Sequence, residues 1–422
     1  MQLTRTLAHA AALVTLTSAG LAVADDHVET TTTWYQENRR GGLGGLTVLS
    51  PMFDLAFDLG ESTNVDLGYA ADAVTGATAS VYSVDAVSSA TKFSDLRNEG
   101  KLGLTFTGRR STLSMGATVG AERDYLSISA GGGGSVDLPG KNTTFALQYA
   151  HNFDQVCDRD NAATLTPLER RPLTGVDPCN KKDGILGKDA PGMTVWHDIS
   201  IDTAQATVTQ NLSPTSNLQL ALWGQIINGF QSDPYRRVQV GQDQPQENDP
   251  RVRDRIALAL KWNRFFPGLH AALHVNLRGY SDTWGVDAGA AEMAWSQYFG
   301  DGLLLDLHGR ISQQTAATFF KDAFFYQTES TAGAYFTGDR ELSPVRNILA
   351  GARLQIISTA SDEHKVWSLF ERLSVSLKGD LLKLDQLPAD KTNANPMGTD
   401  KQFLTSGLLN GFVLQFSLLA QF

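Results

Sequence analysis

Beyond position 24 the sequence has no apolar run of the roughly 20 residues that a membrane-crossing helix needs, which excludes a helical membrane protein. Cysteine is scarce. Only Cys157 and Cys179 occur, within a segment rich in Pro, Asp and Lys, and no Cys or His pair stands beside them to complete a zinc site. No C-x-x-C-H exists, so covalent haem is excluded. No G-x-S-x-G elbow carries a hydrolase nucleophile, and His151, His197, His274, His308 and His364 are scattered. Positive charge is in deficit, giving a net charge of -10 that argues against a nucleic-acid partner. Asp-rich stretches at 158–160 and 243–249 lack the spacing of a twelve-residue calcium loop. No metal, cofactor or catalytic residue is therefore expected, and the chain does not read as an enzyme.

The two ends say what is present. Arg5 is the only charge before Asp25, a short apolar stretch follows it, and Ala22-Val23-Ala24 ends it. A basic start, an apolar core and a small-x-small site predict a secretory signal over 1–24. At the other end, Phe412, Leu414, Phe416, Leu418, Ala420 and Phe422 alternate with Val413, Gln415, Ser417, Leu419 and Gln421. Period-two alternation sends one set to lipid and the other to a lumen. A terminal Phe422 resembles the signal read by the outer-membrane assembly machinery. Export also makes a Cys157–Cys179 disulfide bracing one long loop the natural expectation, stabilising by about 3 kcal/mol at most.

Alternation and turn residues predict sixteen strands over 25–422, with fourteen or eighteen as alternatives because 315–344 has room for another hairpin. Examples are 52–59, with Phe53, Leu55 and Phe57 out and Asp54 and Asp58 in, and a tenth strand with Ile256, Leu258 and Leu260 out and Arg255 and Lys261 in. A fifteenth strand is expected to run from Leu369 with Leu373, Val375 and Leu377 outward. Long loops fall mostly after odd strands, including 154–194 and 315–344, and short turns after even ones, the tight link after strand five being the exception. The expected fold is all-β: a transmembrane antiparallel up-and-down β-barrel, with short periplasmic turns, long extracellular loops and both termini periplasmic.

The central motifs resemble a proteobacterial outer-membrane family catalogued as domain of unknown function 3570. They are Asp72 to Ala77 (DAVTGA), Glu122 to Tyr125 (ERDY), Tyr235 to Val238 (YRRV), Asp249-Pro250-Arg251 with Asp254-Arg255, Asn263 to Pro267 (NRFFP), Arg278 to Gly285 (RGYSDTWG), Arg310 with Gln313-Gln314, and Leu342-Ser343-Pro344. That family usually has tyrosines beside the strand-thirteen arginine, whereas Gly309 and Ile311 flank Arg310. The resemblance implies an outer-membrane location and supplies no substrate.

Function must come from the inward faces. Asp54, Asp58, Asp66, Asp72, Asp198 and Asp202 are expected to form an acidic lumen wall. Arg255, Lys261, Arg278, Arg310, Arg353, Arg372 and Lys378 are expected to form a basic one, relieved mainly by Glu292 and Asp306. In a sixteen-strand barrel the second strand faces the tenth, so the walls would set a transverse field. This predicts a porin-like channel for small polar solutes, in contact with outer-membrane lipid and the assembly machinery. Three other readings compete with it: a lumen filled by paired charges or infolded loops, a non-conducting barrel that partners a periplasmic or surface protein, and an outer-membrane enzyme.

Overall fold

The computed structural model describes residues 26–39, 46–76, 93–122, 125–158, 195–233, 247–320, 334–360, 366, 369–387 and 409–422. The signal segment expected over 1–24 and Cys179 lie outside the described residues. Sixteen strands follow in order: β1 (His27–Arg39), β2 (Thr47–Asp58), β3 (Thr63–Gly76), β4 (Phe93–Thr107), β5 (Ser111–Ala121), β6 (Tyr125–Asp137), β7 (Thr143–Asp158), β8 (Val195–Ser213), β9 (Ser216–Gly229), β10 (Val252–Phe266), β11 (Ala271–Asp282), β12 (Asp287–Phe299), β13 (Leu303–Gln314), β14 (Val345–Thr359), β15 (Arg372–Gln386) and β16 (Leu409–Gln421). Each pairs antiparallel with the next, and β1 pairs with β16, closing the sheet. Closure leaves no strand edge with unmet backbone groups, which lipid would not tolerate. The shortest strand, β5, has 11 residues and the longest, β8, has 19. A tilted crossing strand needs about 9–11 residues, so β8 reaches beyond the apolar layer.

The registers carry one face continuously around the barrel. Phe53, Leu67, Leu102, Leu147, Leu222, Leu258, Leu307, Leu354, Leu377 and Phe416 all lie on the outside and are exposed. An apolar belt this extensive is suited to hydrocarbon rather than water. Aromatic pairs brace it at several points. Trp34 and Phe412 meet edge-on at 5.2 Å across the closing seam, and Phe266 stacks on Trp295 at 5.9 Å. The strand count, the closure and the outward set of β16 agree with the sequence reading.

Three details differ from it. First, β15 starts at Arg372; Leu369 belongs to the preceding turn, where Val366 and Phe370 form an isolated bridge. That link, 360–371, is long for the end of the barrel that otherwise holds the short turns. Second, the link from β11 to β12 is nearly as short as the one after β5. The Asp282 carboxylate explains it, because Oδ1 accepts hydrogen bonds from the backbone N–H of Trp284 (3.0 Å) and Val286 (2.9 Å) and so folds the chain back within one turn. Third, β7 continues to Asp158, so Cys157 is buried at its end rather than within a loop that starts near 154.

Candidate functional site: the barrel lumen

Inward residues are those opposite the apolar belt in each register. Along β5, β6 and the lower part of β7 they are small or neutral: Thr112, Ser114, Gly116 and Thr118, then Ser129, Gly131, Gly133 and Ser135, then Thr144 and Gln148. This wall carries almost no charge. The charged groups gather on the strands to either side.

The acidic side is less acidic than the sequence suggests. Asp54 of β2 and Asp66 of β3 do face inward, but Lys101 of β4 reaches both. Its Nζ lies 2.6 Å from Asp66 Oδ1 and 3.6 Å from Asp54 Oδ1. Asp72 is opposite Arg97 in register, and Arg97 donates to Glu99 at 2.8 Å and approaches Glu122 at 3.7 Å. Asp58 sits at the turn end, exposed, and accepts a hydrogen bond from Asn64 at 2.9 Å.

Asp198 and Asp202 are not lumen groups. Asp202 is level with His151 of β7 and Ile226 of β9, on the face that holds Leu147, Tyr149 and Leu222. It accepts a hydrogen bond from the Tyr149 hydroxyl at 2.5 Å and lies 2.8 Å from His151 Nδ1. Asp198 accepts from Gln155 at 2.8 Å on the same outer face. The reason lies in β8 itself. Its inward residues Ile199 and Ile201 pack with Tyr125, Val156, Ile227 and Phe230 in an apolar cluster inside the barrel at the loop end. The apolar side of this stretch therefore points in, the reverse of the rule that holds elsewhere. Beside the cluster, Asp154 is a buried inward carboxylate that accepts hydrogen bonds from Tyr125 and from Ser127 (2.7 Å).

All seven basic positions face inward, and their surroundings sort them. Arg353 of β14 donates to Asp306 Oδ2 of β13 through Nε at 2.7 Å, with Nη2 at 2.6 Å. Lys378 of β15 lies 3.0 Å from Asp380 Oδ2, whose other oxygen is 2.7 Å from His308 Nε2. His308 and Asp380 sit on β13 and β15, with Gly351 of β14 between them. Only glycine permits that reach, since a Cβ at 351 would fall 1.9 Å from Asp380 Oδ1 and 2.8 Å from His308 Nε2. Arg255 donates to Gln225 at 3.2 Å. Arg372 lines the turn end, its Nε buried without a hydrogen-bond partner.

Lys261, Arg278 and Arg310 differ from these. They are inward, yet exposed. Among the described residues none has a carboxylate within 4.0 Å. Arg278 is flanked by Ala259 and Ala290, which leave its head unobstructed. Lys261, Asn276, Glu292 and Arg310 form one level across β10 to β13.

The loop end is closed over on one side. Arg253 donates to Asp282 at 2.9 Å through Nε, the Tyr280 hydroxyl donates to the same oxygen at 2.7 Å, and the Arg253 guanidinium lies 4.2 Å from the centre of the Trp284 ring. Trp284 packs with Val286, Ala317, Phe320 and Leu342. The inward Gln314 donates to Glu341 O at 2.6 Å and Ser343 O at 2.9 Å, which places that turn inside the rim. Asn248 and Phe336 exchange two backbone hydrogen bonds of 3.0 Å, tying the segment before β10 to the one before β14. The motif RGYSDTWG therefore supplies a rim latch. Its spacing alone did not reveal that role, because the partner Arg253 comes from another strand.

The model of a family described as "Protein of unknown function (DUF3570)" matches residues 81–388. No curated protein matches the sequence. Among solved structures, a bacterial polysaccharide outer membrane secretin matches with TM-score 0.47 and 8% identity over 94% of this chain and 99% of that one. A BenF-like porin from Pseudomonas fluorescens Pf-5 matches with TM-score 0.41 and 8% identity over 95% and 100%. OccK2 (OpdF) from Pseudomonas aeruginosa, solved with glucuronate, matches with TM-score 0.39 and 11% identity over 94% and 98%.

Proposed function

We propose that this chain, which belongs to the DUF3570 family, is a porin-like channel for small polar solutes in a bacterial outer membrane, with its short turns and both termini on the periplasmic side. The observation that carries this reading is the exposure of Lys261, Arg278 and Arg310 on the inner face of a closed barrel. Inward side chains that remain exposed border solvent-filled space. Barrels of sixteen strands are wide enough to hold an aqueous channel. The apolar belt matches a lipid layer, and short turns mostly at one end with long loops mostly at the other match the orientation of bacterial barrels.

The reading assigns no catalysis. The described histidines that meet carboxylates or amides act as strand-to-strand links: His151 with Asp202, His274 with Asn263 (2.7 Å) and His308 with Asp380. A second reading, a non-conducting structural barrel, is favoured by the rim latch and by Ala317, Phe320 and the 341–343 turn packing inside the mouth. Purified protein in planar lipid bilayers separates the two. Discrete conductance steps in KCl support the channel, and a barrel that is folded yet silent in every salt supports the structural reading.

The Cys157–Cys179 disulfide also remains a proposal. Intact mass after thiol alkylation, with and without prior reduction, tests it. Two extra alkyl groups after reduction support the bond, and equal masses exclude it.

A further inference from the structure

Many of the charged groups in the lumen are paired with a neighbour of opposite sign. Lys261, Arg278 and Arg310 are not. They lie on β10, β11 and β13, so their strands span three inter-strand spacings, about 14 Å between the outermost α-carbons. Arg278 stands two residues toward the loop end from the level shared by Lys261 and Arg310. The curvature of the wall turns inward side chains on nearby strands toward one another. Glu292 is the only carboxylate within the level, and it is within 4.0 Å of none of the three among the described residues. Three cations therefore surround a half-buried carboxylate with positive charge in excess. Asn276 adds an amide, and the alanines beside Arg278 leave room for a bound group.

We infer that Lys261, Arg278 and Arg310 form a binding site for small oxyanions, namely dicarboxylates or phosphate, on the β10–β13 wall of the lumen. This deepens the channel reading and rests on it. Guanidinium forks present paired N–H groups to carboxylate and phosphate oxygens, and a lysine adds a mobile point charge. Conduction also requires release, so the site binds weakly, with a dissociation constant on the order of a millimolar. The paired cations are excluded from the site. Arg353 and Lys378 already hold carboxylates, so a solute would have to displace an internal partner.

The test uses the full barrel and a triple variant, Lys261→Met, Arg278→Gln and Arg310→Gln, which keeps unbranched side chains at all three positions while removing charge. Arg346→Ala serves as the control, since Arg346 faces outward and bonds Gln313 at 2.9 Å. Folding of each is verified by heat-modifiable gel mobility. Two measurements are made: the reversal potential across a KCl gradient, and calorimetric titration of the micelle-embedded protein with inorganic phosphate and with succinate. The expected result is anion preference in the wild type, a several-fold loss of it in the triple variant, and weakening of phosphate and succinate binding by about tenfold or more. The control stays like the wild type. Unchanged selectivity together with unchanged phosphate and succinate binding in a conducting triple variant overturns the site while leaving the channel standing. Phosphate binding that depends on the three residues in a barrel that never conducts overturns the channel and leaves the site. Should the triple variant fail to fold, Arg278→Gln alone gives the same readouts at smaller amplitude, and no change there overturns the proposal.

Discussion

The two charged walls of the lumen handle their charges in opposite ways. On β2 to β4 a single lysine, Lys101, lies between two aspartates and ties them to the wall. On β10 to β15 the aspartates are too few and too far along the strands to cover every cation, so some are bound, Arg255 and Arg372 are half-buried without a carboxylate among the described residues, and three are exposed. Both walls read as charged in the sequence, yet away from the turn end, where Asp58 is exposed, only one offers exposed charge to a passing solute. The lesson is that the sign of a barrel wall is set by pairing across neighbouring strands, and a tally of inward residues does not give it.

The comparison can be broken at four places, from the largest effect to the smallest. Lys101→Met leaves Asp54 and Asp66 facing each other without a cation. We expect a loss of about 1–3 kcal/mol, discounted for partial exposure, together with a shift of selectivity toward cations. Urea unfolding followed by tryptophan emission measures the first, and wild-type stability would show that the lysine does not tie the wall. Gly351→Ala drives a methyl group into the His308–Asp380 contact and should cost about 1–2 kcal/mol. A variant as stable as its parent would mean that the two strands part without penalty.

Asp380→Asn tests the other direction. It releases Lys378 from its carboxylate and adds a further uncompensated cation, so anion preference should rise by roughly a factor of two. A fall in preference would contradict the sorting of bound from free charges. The gentlest perturbation is salt. Raising KCl from 0.1 to 1 M shortens the screening length from about 10 Å to about 3 Å, and the anion preference should decline toward unity. A ratio indifferent to salt would locate selectivity in pore size instead.

Much of the architecture was legible from period-two patterns because lipid imposes a strict rule on one face of every strand. Sixteen strands, their closure and most inward sets follow from that rule. It failed at Asp198 and Asp202, since the barrel interior near β8 holds its own apolar cluster and Ile199 and Ile201 point in. Lys101 was within reach, because Leu102 and Leu104 point outward and their neighbour must then point inward; its double pairing was not, since that depends on three strands in register. The Asp380–His308 bridge depends on the absence of a side chain at Gly351, and no one-strand pattern shows a contact that skips a strand. Tyr280, Asp282 and Trp284 stood within one quoted motif, and Arg253 between the quoted residues of another, but their convergence at the rim needed the tertiary fold.

The closing seam carries a consequence for how the molecule comes into being. His27 lies opposite Gln421 and Arg39 opposite Leu409, whereas every other pairing joins strands adjacent in the chain. Joining ends separated by roughly 400 residues costs about 4 kcal/mol more chain entropy than closing a four-residue hairpin. Hairpins can therefore form early and locally, while β1 waits for the last strand to be delivered. Until then two open edges are offered to any other chain nearby. The ring is a product of timing as much as of affinity, and its most vulnerable moment is the interval before β16 arrives.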